Sequence, residues 1–521
     1  MKKSDTCKTN KTKIILFKNL IKLLNKPENR VMSKKVVIIG AGFSGLSSAS
    51  VLARHGFDVE VIEKHDMPGG RARKFSEAGF TFDMGPSWYW MPDVFEQFFN
   101  YFGKKSSDFY QLERLDPSYT IYFGPDDKVD LPADIHALYS LFDSIEAGSG
   151  LRLKKFLEEA AFKYDIGIKK LVFKPSKSLM EFAEWDIIKG ALKMDILKSF
   201  HSYIRKYFTH PKLLKILEFP ILFLGATAQK TPALYSLMNY GDMVLGTWYP
   251  VGGMYKVVEG FEQLALGEGV RFSYNESVTS FETSNGKITA VVTNKRSIQA
   301  DYVIASADYH HVEQKILDPA FRMYDEKYWN SRVMSPSSLI YYLGIDKKLD
   351  HVLHHTLIFN KDFEKHAEQI YEKPQWPENP SVYLSCTSKT DPTTAPEGME
   401  NLFVLIPVAP GLDDTDTVRQ HYFDFSINRI EETLGIEFKE NIIYQKFYSN
   451  RDFSTDYHAF KGNAYGLANT LMQTAILKPS MFNKKLPNLL YTGQLTIPGP
   501  GVPPTIISGQ VAASEIIKLN K

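Results

Sequence analysis

The sequence predicts an α/β fold in which a parallel sheet, split along the chain, carries an inserted α+β domain. Three observations predict it. An apolar run near the start ends in a glycine-rich turn. Short buried strands return around residue 300 and again near the C-terminus. Two long, aromatic-rich stretches separate these pieces.

The first piece is the most specific. Val36-Val37-Ile38-Ile39 runs into Gly40-Ala41-Gly42-Phe43-Ser44-Gly45, and small residues follow. That order reads as strand, tight turn and helix. Gly40 makes the turn, Gly42 leaves room for a pyrophosphate, and Gly45 lets helix and strand pack closely. A second strand, 58–62, ends at Glu63, placed to bind ribose hydroxyls. This is a Rossmann-like dinucleotide fingerprint with its acid. The next residues, Met67-Pro68-Gly69-Gly70-Arg71-Ala72-Arg73, choose the dinucleotide. A nicotinamide enzyme has no need of such a loop, whereas an extended FAD uses two glycines for close approach and an arginine as a forked donor.

Further along, residues 254–266 have helical apolar spacing, and 270–274, 278–283 and 288–293 alternate as strands. Ser284-Asn285-Gly286-Lys287 joins the last two as a hairpin. Residues 300–305 and 488–492 read as buried strands, and a small-residue helix begins near Thr505. The expected organisation is a basic extension (1–31), an FAD domain in three parts (32–105, 246–310, 466–518), and a substrate domain in two (106–245, 311–465). The substrate domain should hold strands at 338–343 and 402–407 and a helical lobe. Its most apolar stretch, 213–228, reads either as a core helix broken at Pro220 or as a tunnel wall or membrane-dipping surface.

Four blocks carry a family resemblance: GAGFSGLSSA with Glu63; PGGRAR with FTFDMGPSWYWMPDVF; Gly246 to Met254 (GTWYPVGGM); and Gly493 to Pro504 (GQLTIPGPGVPP). With these the chain resembles the bacterial and fungal phytoene desaturases, FAD-dependent flavoproteins of the amine-oxidase-like type, from about Lys34 to the C-terminus. Gln494 stands where relatives often carry a small residue, and Ile497 where they often carry a histidine. The resemblance implies a Rossmann-like FAD-binding domain with an inserted α+β substrate domain. The expected cofactor contacts are Gly40, Gly42, Phe43, Ser44 and Gly45; Glu63 and Lys64; Gly69, Gly70, Arg71 and Ala72; Gly85, Pro86 and Ser87; and Gly493, Gln494 and Pro503. It implies stepwise dehydrogenation of a forty-carbon isoprenoid, phytoene, toward lycopene, by hydride transfer to the flavin. Alternatives are desaturation, isomerisation or saturation of another carotenoid, or an isoprenoid escort protein on the same scaffold. An amine oxidase is a third reading and needs a polar substrate cage.

With one nucleotide fingerprint and no CxxC pair, electrons should leave to a quinone, or to dioxygen. No catalytic residue and no metal ligand is assigned. Asp83, Glu259 and Asp452 are candidate bases only by proximity to motifs, and Asp83 reads better as a residue that caps or orients the GPSW turn. His310-His311 and His354-His355 read as solvated loop pairs. A hydrocarbon offers no polar handle, so its binding must come from burial. Phe80, Trp88, Trp90, Phe95, Phe98, Phe99, Trp248 and Tyr249 are candidate walls.

Composition sets bounds. Hydrophobic residues make up 44% and aromatic residues 13% of 521 residues, enough for two cores, and the net charge of +2 gives no general reason to expect nucleic acid as a partner. No run of eighteen apolar residues predicts a transmembrane span. The lysine-rich extension, with Ile14, Phe17, Ile21 and Leu24 near helical spacing, reads either as an amphipathic membrane helix or as dispensable sequence before an ordinary start at Met32. The expectation is a cytoplasmic protein, peripheral on the inner face of the cell membrane.

Overall fold

A computed structural model of the chain describes residues 33–178, 181, 198–222, 224–360 and 362–521. The basic extension, with Cys7, lies outside the described residues. The first strand, β1 (Lys35–Ile39), leads through the glycine turn into α1 (Phe43–Arg54) and on to β2 (Asp58–Ile62). After the first insertion come α2 (Tyr255–Gly267), β3 (Arg271–Ser273) and β4 (Tyr302–Ala305). The chain closes with β5 (Leu489–Tyr491) and α3 (Val502–Leu519). These strands form one parallel sheet in the order β5-β4-β1-β2-β3.

The apolar run of β1 explains its central place, because a parallel strand covered on both faces must be apolar throughout. Val36 and Ile38 face α1, α2 and α3, in a core with Leu46, Phe261 and Ile506. Val37 and Ile39 face the other way, toward Tyr309, Val312, Trp329 and Tyr491. So residues 312–329, part of the second insertion by the sequence reading, pack beneath the FAD-domain sheet.

The expected hairpin forms between Val278–Ser284 and Lys287–Thr293. Asn285 (φ 50°) and Gly286 (φ 69°) supply the left-handed pair its turn needs. With Ser297–Gln299 it makes a separate three-stranded sheet. Helix α3 begins earlier than Thr505 because Pro503 and Pro504 sit in its first turn, where no N–H is missed.

The two insertions together build a seven-stranded sheet. Its order is 442–448, 337–345, 400–408, 382–385, 355–358, 119–124 and 127–131. The last two strands come from the first insertion, so both insertions build one sheet. All pairs are antiparallel except 355–358 with 119–124. One face packs under helix Asp416–Leu434 through Tyr341, Leu343, Phe423 and Ile427. The other presents Ile340, Leu357, Tyr383 and Leu405 to an internal cavity. A helical lobe that includes Ile135–Ile145, Ser149–Ile166 and Pro211–Leu222 closes the far side. Pro220 lies inside the last helix, which ends two residues later at Leu222.

Candidate active site

A single cavity of about 1150 Å³ runs from the FAD-domain sheet into the space between the seven-stranded sheet and the helical lobe. That exceeds the roughly 300–1000 Å³ of pockets for one small ligand. One end lies at the carboxyl ends of β1 and β4, where the strand order reverses, which is where open α/β sheets bind ligands.

Every expected cofactor residue except Gly45 lines this cavity. Gly45 is buried behind it, and a Cβ there would run into the Gly40 carbonyl oxygen. Gly42 is the opposite case: a Cβ at this position would meet nothing within 4 Å. It is an open cradle at the N-terminus of α1. Gly42, the residue before α1, offers no side-chain cap, so α1 presents unpaired N–H groups to the cavity end, whereas α3, with Pro503 and Pro504 in its first turn and Thr505 N bonded to Gly501 O, has only the Val502 N–H to offer.

The Glu63 carboxylate fixes this end. It accepts from Ala41 N at 2.8 Å and from His65 N at 3.0 Å, while Gly69 N donates to Ala41 O at 2.8 Å. The turn after β1 and the Gly69-Gly70 loop are thereby tied together. Ser44 Oγ meets Ser306 Oγ at 2.7 Å across the switch point. Burial pushes the Lys64 amine down, and its Nζ donates to Thr455 O at 3.1 Å. Gly85 sits where a Cβ would run into Arg71 O.

The two arginines divide their roles. Arg73 does not line the cavity itself and pairs at 2.8 Å with Asp456, which does. Arg71 lines the cavity, lies over the Tyr457 ring at 5.2 Å and donates to Asn463 O at 3.3 Å. Its Nε is buried without a partner, as is Gln494 Nε2. An open cradle, orphaned donors and the uncapped N-terminus of α1 are what a dinucleotide with a pyrophosphate and a hydrogen-bonding ring would complete, so the residues fit FAD. Ser306, Ala307 and Asp308 also line this end without a sequence expectation, and so does His311, which with His310 sits in a helical turn (Tyr309–His311) and not in a solvated loop, its imidazole lowered by burial to about 4. The end of strand 300–305 beside β1 was the available signal.

Several expectations change. None of the candidate bases lines the cavity. Asp83 caps α2, accepting from Met254 N at 2.7 Å and Tyr255 N at 3.0 Å, and burial raises its carboxyl to about 6. Gly253 makes room for it, since a Cβ would lie 2.7 Å from Asp83 Oδ2. Glu259 pairs with Lys74 and Lys256, and Asp452 with Arg419. His354 and His355 are buried, not solvated, because His355 begins a central strand. Burial holds both imidazoles far below the ordinary histidine value. Of the candidate wall aromatics, Trp88, Trp90 and Phe95 line the cavity, and the other five pack elsewhere.

The far limb is mainly apolar, walled by Trp88, Ile168, Phe219, Leu237, Phe359 and Ile370. Phe219 and Leu224 come from the apolar 213–228 stretch, which is both core and wall. The polar groups here are mostly satisfied by one another. Ser87 Oγ meets Tyr383 OH at 2.8 Å, which meets His355 Nδ1 at 2.8 Å. His366 accepts from Ser381 N at 3.3 Å and donates to Pro407 O at 3.0 Å, and burial lowers it to about 4, so it stays neutral.

Residues 43–517 match the family of flavin-containing amine oxidoreductases. The chain belongs to that family. It is an FAD-dependent oxidoreductase. A carotenoid 3,4-desaturase of Haloarcula japonica is 38% identical over 484 residues, covering 93% of this chain and 98% of the relative. A 4,4'-diapophytoene desaturase (4,4'-diaponeurosporene-forming) of Staphylococcus aureus is 30% identical, covering 93% and 99%. A zeta-carotene-forming phytoene desaturase of Myxococcus xanthus is 29% identical, covering 93% and 94%. Among solved structures, an oxidoreductase from Methanosarcina mazei superposes with a TM-score of 0.60 at 16% identity, covering 93% of this chain and 100% of that one. Putrescine oxidase bound to putrescine gives 0.58 at 13%, covering 94% and 99%. At such identities these two share the fold alone.

Proposed function

We propose that this flavoenzyme desaturates a carotenoid, with the forty-carbon hydrocarbon phytoene as first substrate and lycopene or a shorter polyene as product. The observation that carries the reading is the continuity of the cavity: the phosphate-binding end opens directly into the apolar limb. A long isoprenoid threaded there gains roughly 0.8 kcal/mol for each CH₂ removed from water, without a single hydrogen bond. FAD, when bound, supplies a two-electron acceptor for hydride from a saturated carbon beside the conjugated segment. The chain's own residues hold the cofactor at the switch point and keep water from the polyene. The electrons then pass to a quinone, or to dioxygen as the second choice. The proposed binding residues are those assigned from the sequence, with Gly45 acting through packing.

The mouth supports work at a membrane surface. Met472 is 70% and Leu477 44% exposed, and their neighbour Ile476, itself 36% exposed, also lines the cavity. Apolar side chains at a cavity mouth let a lipid-dissolved substrate pass without crossing water. No described helix is long and apolar enough to cross a membrane. The location we propose is the cytoplasmic face of the cell membrane.

The 38% identity to a carotenoid 3,4-desaturase supports a second reading, in which the substrate is an already conjugated carotenoid. Purified holoenzyme in liposomes loaded with phytoene or with lycopene, with a quinone added, tests both. Coloured products from phytoene support the first reading, and a red shift from lycopene alone supports the second. No pigment change with either refutes both.

A further inference from the structure

Lys478 is a buried amine without a counter-charge. The residue is 5% exposed, and its Nζ has one hydrogen-bond partner, Asn469 Oδ1 at 2.8 Å. Among the described residues no carboxylate pairs with it, and burial alone pushes it down to about 7. A structural role is a poor explanation, because an isolated buried cation costs stability that an apolar residue of similar length would restore.

Its surroundings point toward the cofactor. Asn469 lines the cavity. Lys478 Nζ donates to Asn469 Oδ1, which leaves the Nδ2 hydrogens of Asn469 for the cavity side. Gly499 is the point at which the amine approaches the loop that runs from Ile497 to Pro504. At φ 138°, a Cβ on Gly499 would lie 2.9 Å from Asn469 Oδ1 and 3.2 Å from Lys478 Nζ. The backbone there is bare where the amine and amide press against it. The amine thus sits behind the loop that carries Pro498, Pro500 and Gly501, beside the N-terminus of α3, and when protonated it places a positive charge there, to which the helix end adds a partial one.

We propose that Lys478, acting through Asn469, is a positioning residue that raises the reduction potential of the bound flavin. Two electrons and one proton arrive as hydride from a substrate C–H bond, which breaks and leaves the substrate as a cation spread over the conjugated segment. The ring system therefore gains one negative charge, and Lys478 with the α3 N-terminus is the counter-charge for it. The inference rests on the proposed cofactor contacts at Gly493 and Gln494, and takes the flavin ring to lie under the 493–501 loop that begins with them.

The test is the midpoint potential of purified holoenzyme, from anaerobic photoreduction against a reference dye. In Lys478→Gln, which keeps a donor for Asn469, the ratio of oxidised to reduced flavin at a fixed potential should rise at least about tenfold, a fall of about 30 mV for a two-electron couple. Lys478→Arg should stay near wild type. Lys478→Met should show the same fall, with a melting temperature equal to or above wild type. A Gln or Met variant that holds flavin at full stoichiometry with the wild-type potential overturns the proposal. If Met destabilises the protein, Gln alone decides. Failure of the underlying cofactor reading looks different: wild-type protein purified without flavin.

Discussion

Substituting valine at Gly42 and at Gly45 should separate cofactor binding from folding, although the two glycines are three residues apart. Gly42 has φ −74° and ψ 175°, which any residue adopts, and its Cβ position is open for 4 Å. Gly42→Val should therefore fold as the wild type does. The branched side chain then occupies the cradle and displaces the pyrophosphate from the α1 N–H groups. Losing two charge-assisted hydrogen bonds costs about 3–6 kcal/mol, at about 1.5–3 kcal/mol each. That is a loss of about 10²–10⁴-fold in FAD affinity at about 1.4 kcal/mol per decade. Gly45→Val does the reverse. Its Cβ meets the Gly40 carbonyl at the crossing of β1 and α1, so the helix must move off the sheet. Overpacking of this kind costs about 1–3 kcal/mol or more. The assay pairs flavin stoichiometry, from the absorbance of purified protein, with thermal melts of the flavin-free forms. A Gly42→Val protein with normal flavin content, or one whose flavin-free melt falls as far as that of Gly45→Val, would refute the reasoning.

Three further predictions follow from contacts already described. Glu63→Ala leaves Ala41 N and His65 N without their acceptor, so FAD should bind about 1.5–3 kcal/mol more weakly; calorimetric titration showing unchanged affinity would contradict this. Asp83 titrates at about 6 in the fold against an ordinary 3.8, so the folded state holds its proton more tightly. Its contribution favours folding at low pH and is lost as pH rises from about 4 to about 6, by about 3 kcal/mol at 1.36 kcal/mol per pH unit. Asp83→Asn cannot titrate and should flatten the melting temperature across that window; parallel curves for the two proteins would sink the assignment. Met472→Asp with Leu477→Asp should lower sedimentation with anionic liposomes at least about tenfold, since burying such side chains is worth about 1.5–3 kcal/mol each. Unchanged sedimentation would move the membrane contact elsewhere.

What the sequence determined by itself was local: the strand–turn–helix of 36–54, the acid ending 58–62, the Asn285-Gly286 hairpin, and the helix after the Pro-Gly loop. Each rests on interactions within a few residues, through turn chemistry, apolar spacing and glycine conformation, and such signals survive without knowledge of the rest of the chain. The turn proposed to hold the pyrophosphate was legible for the same reason, because its strand, glycines and helix follow directly on one another in the chain. Tertiary structure decided what depends on residues far apart in the chain. Strands 119–131 joined 337–448 in one sheet, and residues 312–329 passed beneath the other. His355 became buried because neighbours on both sides cover its strand, and Asp83 became the cap of a helix some 170 positions away. The apolar limb is drawn from both insertions, and no periodicity distinguishes an aromatic side chain that lines a cavity from one that fills a core. Burial is the same local property in both cases. Only the packing of the two insertions against each other leaves one face of the wall open.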